Sequence, residues 1–265
     1  MYNTLMIQAI AFDIDGTLYS QADFTIRSFG FFVAHARTML AFRSVRKELH
    51  AISASKNPEQ SILSSISKTH TNINTSMSTS STDIEGKENF FELQAALLGK
   101  KIAKSQSETK QWIETHIYQG WKKIFKKISP YENAVQSIQL LKQAGYKIGL
   151  LSDFPPEQKG DIWGLAPLCD AIVGSEYCNA LKPSPIPFLE LSKRLQVPCE
   201  HVLYVGNSYK YDVLGAKAVG MKTALICKKS KKSLFTHKAD IVFSHYKELI
   251  PLIEQLHKPT RSFCS

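Results

Sequence analysis

The sequence lacks both a long apolar run and a regular cysteine pattern. No stretch reaches the roughly 18 to 20 apolar residues of a membrane-spanning helix, and residues 1–11 lack the basic and apolar regions of a secretory signal. The five cysteines are Cys169, Cys178, Cys199, Cys227 and Cys264. None belongs to a CxxC pair, so neither a disulfide framework nor a zinc site is indicated. We therefore expect a soluble cytoplasmic protein without a membrane partner.

Acidic residues are fewer than basic ones, which leaves a formal charge of +10 on 265 residues. Clustered lysines are typical of nucleic-acid binding, but the clusters at 122–127 and 228–232 are short and no nucleic-acid-binding motif accompanies them. A nucleic-acid partner is therefore not expected. The excess charge is either a solvated basic surface or a means of attracting anionic substrates. The oligomeric state is not indicated.

The chain has room for a typical α/β domain with a smaller domain inserted in it. A short apolar run at 7–12 predicts a buried strand, and apolar residues at helical spacing predict helices over 24–52 and 88–128. Between these helices, 13 of the 22 residues at 61–82 are Ser or Thr. Such a segment buries too little apolar surface to offset its ordering entropy, so it predicts a flexible loop. Its role is not indicated.

Strands and helices alternate after residue 131. The predicted strands are 146–152, 171–173, 202–205, 223–226 and 241–243, and the predicted helices are 133–144, 186–195, 211–219 and 247–256. Repeated βα units predict a doubly wound parallel sheet with helices on both faces. Ligands of such sheets bind beyond the carboxyl ends of the strands. The predicted division is an α/β core at 1–21 and 129–265, with a helical insertion at 22–128 that holds the loop at about 53–86.

An acidic turn follows the first predicted strand. It reads Asp13-Ile14-Asp15-Gly16-Thr17 and carries two carboxylates that can reach one pocket. One carboxylate can attack a phosphoryl group while the other moves a proton. The same turn, taken alone, is also compatible with an ordinary polar loop.

Three further polar positions lie at or after predicted strand ends. Ser152 offers a hydroxyl to a phosphoryl oxygen or serves as a turn residue, and Lys182 offers a cation or lies on a surface turn. Asn207 and Asp212 offer oxygens, which Mg²⁺ prefers, although Asp212 also suits a helix start. Each position is weak alone, so the joint occurrence carries the interpretation.

In order and spacing these motifs resemble the haloacid dehalogenase superfamily, in particular its phosphatase branch. The resemblance covers 7–19 and most of 131–256 and rests on Asp-Ile-Asp-Gly-Thr-Leu, the later Ser and Lys-Pro, and Gly-x-Ser-x-x-x-Asp-x-x-Gly-Ala. It implies a Rossmann-like α/β core with a helical cap inserted between the first and second motifs.

The resemblance also implies roles for the site residues. Asp13 would be the nucleophile, Asp15 the general acid and then base, and Lys182 would orient Asp13 and balance charge. Ser152 would be a phosphate ligand, and Asp153 and Thr17 would join it in binding the substrate. Mg²⁺ would be held by Asp13, the backbone carbonyl of Asp15, Asn207 and Asp212. The implied activity is Mg²⁺-dependent hydrolysis of a small phosphorylated metabolite, a phosphate monoester, through an aspartyl-phosphate.

One position departs from the phosphatase pattern. Asn207 stands where an acidic metal ligand is usual, so weaker Mg²⁺ binding is expected. A metal-independent dehalogenase and a degenerate binding protein of the same fold are the alternatives. Asp15 argues against the dehalogenase, because a halide leaving group needs no proton whereas an alkoxide does.

Overall fold

The computed structural model describes residues 7–55 and 90–256. Most of the predicted Ser/Thr-rich loop lies outside these residues. Within them, no helix is long and apolar enough to cross a membrane. The described chain consists of one parallel sheet with its helices and a helical segment that enters between the first two strands. The domain boundaries given above stay a prediction.

Six parallel strands form the sheet in the order β3-β2-β1-β4-β5-β6. The strands are β1 Ala9–Asp13, β2 Lys147–Ser152, β3 Ala171–Gly174, β4 Val202–Gly206, β5 Lys222–Ile226 and β6 Ile241–Phe243. Every residue of β1 and β4 is buried, as expected for strands covered on both faces. The predicted α/β fold is confirmed, and each predicted strand is present within two residues of its expected bounds.

The described parts of the inserted segment consist of helices joined by short turns. Its helices are α1 Gln21–Arg27, α2 Phe29–Ala34, α3 Ala36–Ser55, α4 Phe90–Ile102, α5 Gln106–Trp112 and α6 Gln119–Phe125, with a π-helical turn at Ile113–Tyr118. The insertion has its own apolar cluster, which includes Phe42, Val45, Leu98 and Ile117. Leu181 of the sheet-bearing part also belongs to this cluster, so the two parts share buried apolar contacts.

The predicted helical stretch over 24–52 is divided into separate helices at Ser28 and His35. The Ser28 hydroxyl donates to the Phe24 carbonyl at 2.6 Å, a bond that competes with the helical ladder and bends helices. His35 has φ −119° and ψ 28°, outside the helical range. The predicted stretch 88–128 is likewise divided, because Ala103 has a positive φ and Ser105 begins α5 with a capping box to Glu108.

The remaining helices cover the two faces of the sheet. They are α7 Ala134–Gln143, α8 Pro185–Leu195, α9 Leu214–Ala218 and α10 Leu249–Leu256. Side chains of β1 alternate between two apolar clusters: Ile10 and Phe12 pack with α7 and α10, whereas Ala9 and Ala11 pack with α8. The expected helix at 211–219 is a π-helical turn, Tyr209–Val213, followed by the short α9.

Candidate active site

Three neighbouring strands end at one edge of the sheet with polar groups. Asp13 ends β1, Ser152 ends β2, and Asn207 follows β4, with β1 lying between the other two. Lys182 comes from the loop before α8, and its peptide bond to Pro183 is cis. The topology thus brings four predicted site positions to the edge where α/β sheets bind ligands.

The Lys182 ammonium lies between two buried carboxylates. Its Nζ is 2.7 Å from Asp13 Oδ1 and 2.7 Å from Asp212 Oδ1, and it also contacts the Tyr204 hydroxyl at 3.4 Å. Asp13 is 4% exposed and Lys182 is 3% exposed, so solvent screens these charges little. Thr17 donates its hydroxyl to Asp13 Oδ2 at 2.6 Å. Lys182 and Thr17 therefore fix the orientation of the Asp13 carboxylate.

Charge is not balanced in this cluster. Burial raises the pKa of Asp13 to about 7, since the favourable charge of Lys182 does not offset desolvation and repulsion from Asp212 and Asp15. Asp212 is held further by the backbone N–H groups of Asn207 and Ser208, which donate to its Oδ2 at 3.1 Å and 2.9 Å. Two carboxylates and one ammonium leave a site that favours an additional cation or donor.

Asp15 lies in a separate set of donors. Ser152 donates its hydroxyl to Asp15 Oδ2 at 3.0 Å, and Tyr19 donates to Oδ1 at 2.6 Å. Lys159 Nζ contacts the same Oδ1 at 2.5 Å. Burial raises the pKa of Asp15, but Lys159 and the hydroxyl donors outweigh it and hold that pKa below its ordinary value. Asp15 is thus arranged as a carboxylate.

Asp153 faces the loop that carries Lys182. Its Oδ1 accepts the backbone N–H of Lys182 at 3.2 Å, and His50 Nε2 lies 3.8 Å from its Oδ2. The adjacent Ser152 Oγ accepts the Phe154 N–H at 3.2 Å. The substrate-binding roles of Asp153, Ser152 and Thr17 stay predictions.

Two of the predicted Mg²⁺ ligands, Asn207 and Asp212, lie next to each other near Gly16. Gly16 has φ +85°, and a Cβ there would come 2.2 Å from Asn207 Nδ2, so only glycine lets the Asn207 amide approach the backbone after Asp15. Asn207 makes no side-chain hydrogen bond to any residue that the structure describes. Its amide oxygen, the Asp15 carbonyl and the carboxylates of Asp13 and Asp212 are oxygen donors of the kind that Mg²⁺ prefers, and their role as its ligands stays a prediction. Within 7–55 and 90–256, no group of three or more His, Cys, Asp or Glu side chains is arranged to hold a metal ion.

Sequence reasoning missed Lys159, the ion-pair partner of Asp15. Lys159 is 5% exposed and ends a 3₁₀-helical turn, Pro156–Lys159, that follows β2. A single lysine in a Pro-Pro-Glu-Gln-Lys loop has no periodic or motif signal. The burial of Lys159 depends on how the turn folds over Asp15, which the sequence does not show.

Helix α3 of the insertion contributes two further contacts near the site. His50 Nδ1 lies 2.6 Å from the Lys182 carbonyl oxygen, and its ring stacks on Tyr211 at 4.5 Å. Burial lowers the pKa of His50, so the neutral ring is favoured. Arg46 forms a buried ion pair with Glu176, which also accepts the Tyr118 hydroxyl at 2.7 Å. The insertion is therefore tied to the loops that carry Lys182 and Glu176.

The sequence from residue 7 to 220 matches the haloacid dehalogenase-like hydrolases as a family. The chain belongs to that family, which confirms the resemblance inferred from its motifs.

Individual relatives are more distant. The chain is 26% identical over 136 residues to the pyrophosphatase PpaX of Bacillus anthracis, covering 49% of this chain and 62% of the relative. It is 34% identical over 134 residues to a phosphoglycolate phosphatase of Cereibacter sphaeroides, covering 48% of this chain and 59% of the relative. The matched region thus spans about three fifths of the length of these curated relatives.

Solved structures extend the likeness to the whole fold. A HAD phosphatase from Thermococcus onnurineus aligns with a TM-score of 0.54 and 21% identity, over 93% of this chain and 98% of the other. The L-2-haloacid dehalogenase from Xanthobacter autotrophicus aligns with a TM-score of 0.59 and 16% identity, over 94% and 99%. At these identities the comparison concerns the fold alone.

Proposed function

We propose that the protein hydrolyses a small phosphate monoester with Mg²⁺, through an aspartyl-phosphate on Asp13. The observation that carries this proposal is the arrangement around Asp13. Its Oδ1 faces the Lys182 ammonium at 2.7 Å and its Oδ2 accepts the Thr17 hydroxyl at 2.6 Å. A carboxylate held in this way attacks phosphorus in a fixed orientation, and Lys182 offsets the negative charge that the two anions bring together.

Asp15 is the proposed proton carrier of the reaction. Its Oδ2 contacts the Ser152 hydroxyl, and its Oδ1 contacts the Lys159 ammonium. A leaving alkoxide needs a proton, so Asp15 must take up a proton before it donates, and Lys159 opposes that uptake because it holds the pKa of Asp15 below its ordinary value. The carboxylate form then suits the second half-reaction, in which Asp15 takes a proton from the water that attacks the aspartyl-phosphate.

Mg²⁺ would be held by Asp13, the Asp15 carbonyl, Asn207 and Asp212. When bound, the ion supplies positive charge to the oxygens of the phosphoryl group. Burial, together with repulsion from Asp212 and Asp15, raises the pKa of Asp13 to about 7, and this disfavoured negative charge supports a cation at this place.

The metal-independent dehalogenase is the second candidate, and Asn207 is the observation that favours it. Asp15 argues against the dehalogenase. Contacts with Tyr19, Ser152 and Lys159 hold Asp15 as a second carboxyl group in the site, and a halide leaving group needs no proton from such a group. We therefore prefer the phosphatase.

The test is phosphate release from para-nitrophenyl phosphate and a panel of metabolite phosphates, with and without Mg²⁺, for the native protein and for Asp13→Asn. We expect Mg²⁺-dependent release that falls at least about 10³-fold in the variant. Halide release from 2-haloacids is measured in parallel. Phosphate release that persists in Asp13→Asn would refute the nucleophile, and halide release without phosphate release would favour the dehalogenase.

A further inference from the structure

A row of exposed apolar side chains runs along the first three helices of the insertion, α1, α2 and α3. Its members, which we call the outer row, are Ala22, Ile26, Phe29, Val33, Ala36 and Leu40. The side chains of the four larger members are 61% to 73% exposed. Single exposed apolar side chains are ordinary on a soluble protein, whereas a contiguous row marks a surface that another molecule covers.

The outer row keeps the spacing of a helix seam over its whole length. Its members follow one another at alternating intervals of four and three residues. The divisions between the helices do not interrupt this spacing, because the Phe32 N–H donates to the Ser28 carbonyl and the Met39 N–H to the His35 carbonyl, both at 2.9 Å. Intervals of four and three residues are typical of a helix that packs along a second helix.

Two opposite charges lie beside the outer row, two heptads apart. Asp23 stands near its start, where it accepts from Arg27 Nε at 3.1 Å, and no acidic residue follows within 24–47. Arg37 is exposed and forms no ion pair with any residue within 7–55 and 90–256. Positions fourteen residues apart lie on the same side of such a seam. The outer row thus carries a carboxylate towards one end and a free cation towards the other.

We propose that the outer row pairs with the outer row of a second copy of this chain, in an antiparallel dimer with two-fold symmetry. In such a dimer every contact occurs twice, once in each direction. One register fills the whole seam with apolar side chains, with Phe29 facing Val33, Ile26 facing Ala36, and Ala22 facing Leu40. The same register places Asp23 of each copy beside Arg37 of the other.

Other occupants of the outer row match its charges less well. An antiparallel register shifted by one heptad makes Arg43 face Ile26 and separates Arg37 from Asp23. A parallel pair brings each residue beside its own equivalent, so Asp23 and Arg37 lie at opposite ends. An anionic lipid surface suits the arginines but leaves Asp23 against negative charge. The proposal does not depend on the phosphatase activity, because the outer row contains no site residue.

Sedimentation equilibrium of the full chain from about 1 to 100 µM tests the dimer. We expect a monomer–dimer equilibrium whose dissociation constant rises at least about tenfold in Val33→Asp, because that variant puts a charge into the seam. The matched control is Leu234→Asp, at a leucine outside the outer row that is 61% exposed, as Val33 is. This control should leave the equilibrium unchanged. A native protein that stays monomeric throughout this range would refute the dimer.

Charge exchange and cross-linking test the register. Arg37→Asp should weaken the dimer, and Asp23→Arg combined with Arg37→Asp should restore it, because both charges of each ion pair are exchanged. A mixture of Phe29→Cys and Val33→Cys should form more disulfide-linked dimer than either variant alone. A combined charge variant as weak as Arg37→Asp, or equal cross-linking by Phe29→Cys alone, would refute the antiparallel register.

Flotation with vesicles of phosphatidylcholine and phosphatidylserine tests the lipid surface. We expect the native protein to stay unbound at concentrations where it is dimeric. A monomeric native protein that floats with these vesicles, together with a Val33→Asp variant that does not, would assign the outer row to a lipid surface and overturn the dimer.

Discussion

Two buried clusters of charged side chains, one in the sheet-bearing part and one at its boundary with the insertion, differ in how they are built. In the first, Lys182 lies 2.7 Å from both Asp13 and Asp212. In the second, Arg46 of α3 pairs with Glu176, which follows β3. The first has two carboxylates for one cation, whereas the second has one of each.

This difference in charge balance suggests different roles for the two clusters. The unbalanced first cluster suits catalysis, and the balanced second cluster suits stability. Burial raises the pKa of Asp13 to about 7, with a further contribution from the nearby carboxylate of Asp212, and the excess of carboxylates leaves the first cluster able to take up a further cation. The second cluster is joined by neutral groups, because the Tyr118 hydroxyl donates to Glu176 and the Gln94 amide oxygen accepts from Arg46, although Arg46 Nη2 has no hydrogen-bond partner among the described residues. We therefore expect changes in the first to affect turnover and changes in the second to affect stability.

The largest effect is expected from Lys182→Met. The change leaves Asp13 and Asp212 buried without their shared cation, so turnover should fall at least about 10²-fold and the free energy of unfolding by about 3–5 kcal/mol. Initial rates with para-nitrophenyl phosphate and urea unfolding measure the two. Lys142→Met, which breaks a partly exposed pair with Asp170, is the control and should cost at most about 1 kcal/mol. Near-native turnover in Lys182→Met would contradict its assigned role.

Arg46→Met should destabilise the protein by about 3–5 kcal/mol, because Glu176 is then buried without its cation. The double change with Glu176→Gln should recover most of that loss, since no charge remains unpaired. Urea unfolding of the three variants tests the difference. A double variant as unstable as the single one would show that charge pairing is not what this cluster contributes.

Asp13→Asn should alter how stability depends on pH. The folded protein holds the Asp13 proton with a pKa of about 7 against an ordinary value of 3.8, so the contribution of this group is present below pH 3.8 and is lost as pH rises to about 7. Asp13→Asn has no carboxyl group to ionise at this position, so it does not lose stability in this way as pH rises. Relative to the native protein it should gain on the order of 3 kcal/mol between pH 5 and pH 8, measured by urea unfolding in EDTA.

The control for this pH comparison is Asp161→Asn, at an exposed position. Its difference from the native protein should stay constant between the two pH values. An equally constant difference for Asp13→Asn would mean that burial does not disfavour the ionised form of Asp13.

The smallest effect is expected from Asn207→Asp. It adds one carboxylate to the proposed Mg²⁺ ligands, so the Mg²⁺ concentration for half-maximal activity should fall roughly tenfold. A titration of phosphate release with Mg²⁺ measures this. An unchanged titration would assign the ligand role to Asp212 rather than Asn207.

The first cluster could be predicted from the sequence because its residues lie in short motifs at strand ends. Parallel strands bring such ends to one edge, so Asp13, Lys182 and Asp212 were expected near each other although 169 residues separate Asp13 from Lys182. The parallel sheet could also be predicted, because apolar strand patterns alternate with helical patterns along the chain and the observed topology agrees with this alternation.

The second cluster and Lys159 could not be predicted in this way. Arg46 and Glu176 lie 130 residues apart in unrelated elements, and their pairing depends on how the insertion packs on the loops. The divisions of the predicted helix at Ser28 and His35 were missed because apolar spacing continues across them. Side-chain hydrogen bonds that compete with the helix leave no trace in such spacing.

The position of β1 has a consequence for the assembly of the fold. This strand pairs with β2, which begins at Lys147, and with β4, which begins at Val202. During synthesis its apolar edges stay unpaired until most of the chain has left the ribosome, whereas the helices of the insertion can form locally. We expect the strands of the sheet to pair late and in one step. Nascent chains that end before Gly206 should therefore bind chaperones and be sensitive to proteolysis.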